Sequence, residues 1–469
     1  MPETSHAASA VSSSTYIGAG TAGWKVLGYP GQRKLVRDAS GYWYAVWGAY
    51  VSGHRIYISK STNTAGTSWS APVVLAGSGG VAKNESFQHY NVSIDIDRTN
   101  GKLHVVWQRE DDIIYYAKLV NLAFWNNSSY WKNLQETATG AETFLSSTNY
   151  LDLSDAFYAP TIAVDGQGNP HVAYSSNGGG AYQKPYYRTG TTAGGWGTAV
   201  NLSADNVDHR FPVVEIGKYN RAHVAVRYGT NSIYHWYLDS PYTSAVGPTT
   251  VMSSSGNSLK YNSMAADGQG NIHMVALEES DNHVWSATHN GSSWTETENM
   301  DADAAWQMPD VGVKWGAGVT DDIVVASRTG ASNVGVYYWK WNGSAWGQPE
   351  TNTSETSDGF VSIEKKSPSG QTNTGYLMYK SSTLYISFVT GLDSGPLPPI
   401  AIYSDTTWDI LRKQTYNAGT WSGESDVFDT NDAGDLRWHV AQASPSGKSQ
   451  ALLAVGSSNT LYGYLWSGS

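Results

Sequence analysis

The sequence predicts an all-β protein: a single β-propeller of four-stranded blades, eight by count with seven as the alternative, whose ring is closed by the N-terminal strand completing the last blade. Three observations predict it. The composition is rich in amphipathic aromatics, with 20 Trp and 31 Tyr against 8 Phe, beside 49 Gly and only 15% charged residues, and helical periodicity is nearly absent. Strand–turn–strand segments of similar sequence recur along the chain. A turn ending in tryptophan follows most of them, at a period of about 45 to 50 residues, the interval of propeller blades.

The repeats are most regular in "YNVSIDIDRTNGKLHVVW", "YAPTIAVDGQGNPHVAY" and "YNSMAADGQGNIHMVAL". Each alternates apolar and polar residues, turns on Asp and Gly, and alternates again, the pattern of a half-buried hairpin. Weaker copies include "RKLVRDASGYWYAVW", "RFPVVEIGKYNRAHVAV", "MPDVGVKWGAGVTDDIVVA" and "RWHVAQASPSGKSQALLAV". A third strand and a turn then lead to Trp69, Trp196, Trp294, Trp346 and Trp421. Residues 1–15 read as a tail and 16–469 as the propeller domain. "GTAGWKVLG" is an orphan strand available to the last unit, which ends in "TLYGYLWSGS", and "SDTTWDILRKQ" reads as an insertion in the seventh unit. Closure of this kind leaves no long sheet edge.

A net charge of -11 argues against nucleic acid as a partner, because a phosphate-binding face shows as a Lys/Arg excess. No apolar run reaches the length that spans a bilayer, so no membrane insertion is expected. The start "MPETSHAASA" lacks the basic and apolar regions of a signal peptide. An extracellular, surface or virion location therefore implies a mature form or release by lysis or assembly. With no cysteine, disulfides and thiolate metal sites are excluded. No cofactor is expected. "DIDRTNG", with Asp95, Asp97 and Asn100, imitates a calcium loop, but its spacing departs from the EF-hand and Asp–Gly turn chemistry explains it.

Aligning the units places His104, His171, His223 and His273 at one position, with Tyr44 in the first unit, so these rings belong to the scaffold. His89 differs, since its equivalents are Pro30, Phe157, His209, Leu259, Trp306, Gly359 and Leu436. The following position reads Gly31, Tyr90, Tyr158, Arg210, Lys260, Gln307, Phe360 and Arg437. Both lie where the innermost strand begins, at the mouth of the central funnel, where strand ends carry function on a rigid frame. Tyr90, Arg109, Arg227, Lys260, Tyr261, Trp306, Gln307 and Arg437 are thus candidate substrate-binding residues of a mouth expected to be cationic.

The runs "HYN", "IDIDRTNGKLHVVW" and "FYAPTIAVDGQGNPHVAY" resemble the BNR-type repeats of propeller-fold polysaccharide lyases, in particular ulvan lyases, mainly over residues 86–190. That resemblance implies β-elimination on a uronate polysaccharide with His89 and Tyr158 as general base or acid; the cation that must neutralise the carboxylate is assigned here to Arg210, outside the resemblance. The chain departs from it in carrying Arg109 or Glu110 where a second histidine is expected, and Ser175 where an arginine is expected. A sialidase is disfavoured because "HRFP" lies mid-chain and Glu278 and Glu279, adjacent on a strand, face opposite ways. The alternative class is a non-catalytic lectin or adhesin, including a receptor-binding or structural protein of a phage or surface appendage. Either way the partner is a polysaccharide or glycan.

Overall fold

The computed structural model describes residues 15–19, 27–29, 31–50, 53–111, 113–145, 160–177, 181–268, 270–280, 282–297, 300, 306–314, 323–329, 336–341, 346–347, 350–352, 361–368, 373–380, 383–389, 400–404, 410–417, 420–421, 425–429, 436–443, 449–456 and 461–467. The chain divides into two compact units. One comprises Met1–Trp315 with Asp321–Leu392, the other Gly316–Thr320 with Asp393–Ser469.

The larger unit is a β-propeller with blades of four-stranded sheets. Six consecutive blades are each built from successive antiparallel strands, the first from Leu35–Arg37, Trp43–Tyr50, His54–Lys60 and Val73–Ala76. The innermost strands of the next five are His89–Asp97, Thr161–Val164, His209–Ile216, Leu259–Ala266 and Trp306–Lys314. A further sheet joins Ser362–Ile363, Thr374–Lys380 and Thr383–Val389 to the N-terminal strand Thr15–Ala19.

The first described strand, Thr15–Ala19, pairs with Thr383–Val389, and most of "GTAGWKVLG", the segment expected to complete the last blade, lies outside the described residues. Among the described residues the final repeats pair within sheets of their own, and six four-stranded blades are recognised where eight were expected. The final repeats form two sheets of the second unit, one containing Ile400–Ser404, Ile410–Asn417 and Ser425–Asp429, the other Leu436–Ala443, Ser449–Gly456 and Leu461–Ser467. The segment read as an insertion thus supplies a strand of its own sheet. A hairpin pattern states which face is apolar but not which sheet lies against that face.

Apolar side chains fill the spaces between neighbouring sheets. Val46 and Ile58 of the first blade meet Ile94 and Val105 of the second, and Val336 and Tyr338 of the sixth meet Ile363 and Tyr376. Trp43 and Trp47 of the first blade pack with Leu377, Ile386 and Phe388, so the 362–389 sheet is joined to the first blade by a cluster of its own. The repeated tryptophans pin blades together. Trp196 Nε1 donates to Glu142 at 2.9 Å, Trp294 Nε1 to His235 at 3.2 Å, and Trp346 Nε1 to Ser286 at 2.9 Å, each reaching the preceding blade.

The hairpin turns are held by their aspartates. Asp165 Oδ1 accepts from the backbone N–H of Gln167 and Asn169 at 2.9 and 2.8 Å, and Asp267 Oδ1 accepts from Asn271 N–H at 2.8 Å. His104, His171, His223 and His273 are buried and meet the third strand of their own blade: Tyr116 OH at 2.7 Å, Tyr187 OH at 2.5 Å, His235 at 3.0 Å and Thr288 at 3.2 Å.

Candidate functional site

The innermost strands of blades two, four, five and six share one irregularity near their start. Their register shifts after Tyr90, Arg210, Lys260 and Gln307, and the residue that follows, Asn91, Phe211, Tyr261 or Met308, has a φ between 53° and 56°. A bulge with a left-handed residue redirects its side chain. Phe211 and Tyr261 meet at 5.2 Å, and Tyr29 lies over both, at 5.4 Å edge-on to Phe211 and 5.7 Å stacked on Tyr261. The three rings form one aromatic cluster.

The segment leading into the first blade makes contacts with several other blades. Gln32 Nε2 donates to the carbonyls of Asn91 and Pro160 at 3.3 and 3.4 Å. The Arg33 guanidinium pairs with Asp95 of the second blade and, at 2.5 Å, with Glu215 of the fourth. One side chain bridging blades that are not neighbours lies at the hub. Lys34 Nζ donates to the Val92 carbonyl, and burial lowers its pKa well below the usual lysine value. Lys365 pairs with Asp310 and donates to Ser263, while Lys366 reaches Glu215 at 2.8 Å. Asp95 also accepts from Val164 N–H, and Asp97 accepts from Thr99 N–H, Asn100 N–H and Asn100 Nδ2, so the calcium-like motif is spent on the hub and its turn. Among the described residues no group of three His, Asp or Glu side chains is arranged to hold a metal ion.

His89 is 0% exposed. Its Nδ1 accepts from Trp107 Nε1 at 3.0 Å, and its Nε2 lies 3.3 Å from Glu85 Oε1, the two atoms being poorly aligned for a hydrogen bond. Burial, then the charges of Arg109 and Lys83, lower its pKa to about 4, so the ring is neutral near pH 7. His209 repeats the arrangement, also fully buried, with Nε2 3.7 Å from Asp205 Oδ1. His89 and His209, at the start of their innermost strands as the alignment placed them, are both buried, each with a carboxylate four residues upstream. That shared spacing was visible in the sequence.

The expected cationic mouth is corrected. Arg109, 8% exposed, is gripped by both oxygens of Asp111, by Glu85 at 3.1 Å and by Tyr115 OH at 2.9 Å, with the Phe87 ring 4.2 Å from its guanidinium. Lys260 pairs with Glu279 at 2.5 Å, and Arg210 lies 3.5 Å from Asp208. Arg227 is buried, 5.2 Å from the Phe211 ring. Tyr90 is half-buried, and burial, followed by Glu110 and Tyr50, raises its pKa to about 12. The structure thus brings Tyr90, Arg210 and Lys260 to equivalent positions on their innermost strands, with Tyr261 at the next position, equivalent to Asn91 and Phe211. Tyr158 lies outside the described residues, as do the side chains of Trp306, Gln307 and Arg437, and Arg437 belongs to the second unit. Sequence reading missed Tyr29, Gln32, Arg33 and Lys34, which look like an ordinary turn before a strand.

No family model matches the sequence, and no curated protein matches it. Among solved structures the chain is similar to an ulvan lyase bound to -[GlcA(1-4)Rha3S]-, with TM-score 0.52 and 11% identity over 79% of this chain and 96% of that one. A second structure of ulvan lyase gives 0.54 and 11% over 82% and 96%. The BP39L lectin from Burkholderia pseudomallei gives 0.54 and 12% over 85% and 100%. At such identities the likeness is one of fold, and it defines the class as a β-propeller.

Proposed function

We propose that the larger unit is a seven-bladed ring that binds carbohydrate at its mouth without cutting it. The observation that carries this reading is the pairing of the rim's charged groups beside aromatic rings. Arg109 with Asp111, Lys260 with Glu279 and Arg210 near Asp208 offer donors and acceptors side by side, the chemistry that reads sugar hydroxyls, next to the half-buried rings of Tyr90 and Tyr261. A fully buried His89, whose Nδ1 already accepts from Trp107 and whose pKa of about 4 makes it a weak base, and an Arg109 held by two carboxylates do not favour proton abstraction beside a substrate carboxylate. The partner is a polysaccharide or glycan, met outside the cell or on a surface or virion.

A glycan array read in parallel with a panel of uronate polymers tests this. Binding without a rise in absorbance from unsaturated product is expected, and Lys260→Ala and Arg210→Ala should each weaken that binding. Turnover of any uronate polymer that is lost in His89→Ala or Tyr158→Phe would overturn the reading in favour of a lyase.

A further inference from the structure

We propose a second sugar subsite, on the seam between the first and second blades, that takes a neutral pyranose unit; it rests on the glycan-binding reading of the mouth and deepens it. Tyr50 ends the second strand of the first blade, opposite His54 in register, and their rings are 4.9 Å apart. The His54 ring lies 4.6 Å from that of Tyr90 at the start of the second blade. Three rings thus run outward from the mouth, and the outermost, Tyr50, is 50% exposed.

The polar groups beside them define the ligand. Tyr90 OH donates to Gln88 Oε1 at 3.0 Å, and Gln88 Nε2 donates to Glu110 Oε2 at 2.8 Å. This relay orients the half-buried Glu110 carboxylate and leaves Oε1 without a hydrogen bond among the described residues. An aromatic face beside an oriented carboxylate suits the C–H face of a pyranose whose hydroxyls donate to the acid. The negative charge of Glu110 disfavours a uronate here, so a bound chain would place an uncharged unit on the seam.

Saturation-transfer NMR with the methyl glycosides of glucose, galactose, mannose, fucose and glucuronic acid tests this, alongside polymer binding on the array. At least one neutral glycoside should receive saturation. Tyr50→Ala should weaken its titrated affinity about three- to tenfold, the worth of one aromatic contact. Glu110→Gln should weaken it too. The proposal is overturned if Tyr50→Ala binds neutral glycosides as the unaltered protein does, if the glucuronide is preferred, or if no neutral glycoside binds while polymer binding sensitive to Lys260→Ala persists. Absence of all binding, polymer included, would remove the mouth reading and the subsite together.

Discussion

Trp107 donates its indole N–H to Nδ1 of His89 across 3.0 Å, inside the second blade. The bond fixes the ring's orientation and leaves Nε2 to carry the proton, directed at Glu85. A histidine so placed is part of the packing under the mouth, which has direct experimental consequences.

His89→Ala should destabilise the fold rather than abolish glycan binding. The change leaves the Trp107 N–H buried without an acceptor, at a cost of about 1–3 kcal/mol, before the lost packing is counted. Denaturant unfolding should report that loss while affinity on the array is retained. A silent unfolding curve with lost binding would return His89 to the site.

Lys365→Met should cost about 3–5 kcal/mol, because it strands the buried Asp310 carboxylate. Adding Asp310→Asn should recover part of it. The double-mutant cycle measured by chemical denaturation gives the coupling directly; additive effects would show that the hub pair is not coupled.

Gly31→Ala should also destabilise, by about 1–3 kcal/mol. Gly31 has a φ of 89°, and a Cβ there would lie 2.3 Å from Val213 Cγ1 and 2.8 Å from the Asn262 carbonyl. Thermal unfolding measures the effect, and an unchanged midpoint would show that the strand can shift.

Stability should fall in mild acid. His89, His104 and His223 have pKa values near 4, 3 and 3, burial being the largest cause for each, against about 6.5 in an unfolded chain. The fold thus favours the neutral ring. Its contribution is complete above pH 6.5 and is lost as the pH drops toward the folded values, by up to about 1.4 kcal/mol per pH unit for each ring. Melting temperature followed from pH 7.5 to 4.5 should hold down to about pH 6.5 and decline below it, with a shallower slope in His223→Gln.

The blades were legible because a two-residue period, an Asp–Gly turn and a tryptophan recur together, and each has a local physical cause. The mouth was legible as a register position: Tyr90, Arg210 and Lys260 occupy equivalent places on their strands. What those side chains touch was not. Arg109 reads as a free cation until Asp111 and Glu85 close on it. Arg33 and Lys34 resemble a solvated pair, yet they are buried against strands some sixty and more residues away, a relation no local pattern carries. The number of blades was not legible for the same reason, since a hairpin pattern does not state which sheet lies beside it.

Arg33, in the segment before the first blade, holds Asp95 of the second blade and Glu215 of the fourth at once. One guanidinium thus ties together sheets far apart in the chain, so its loss should weaken several blades together rather than injure one of them.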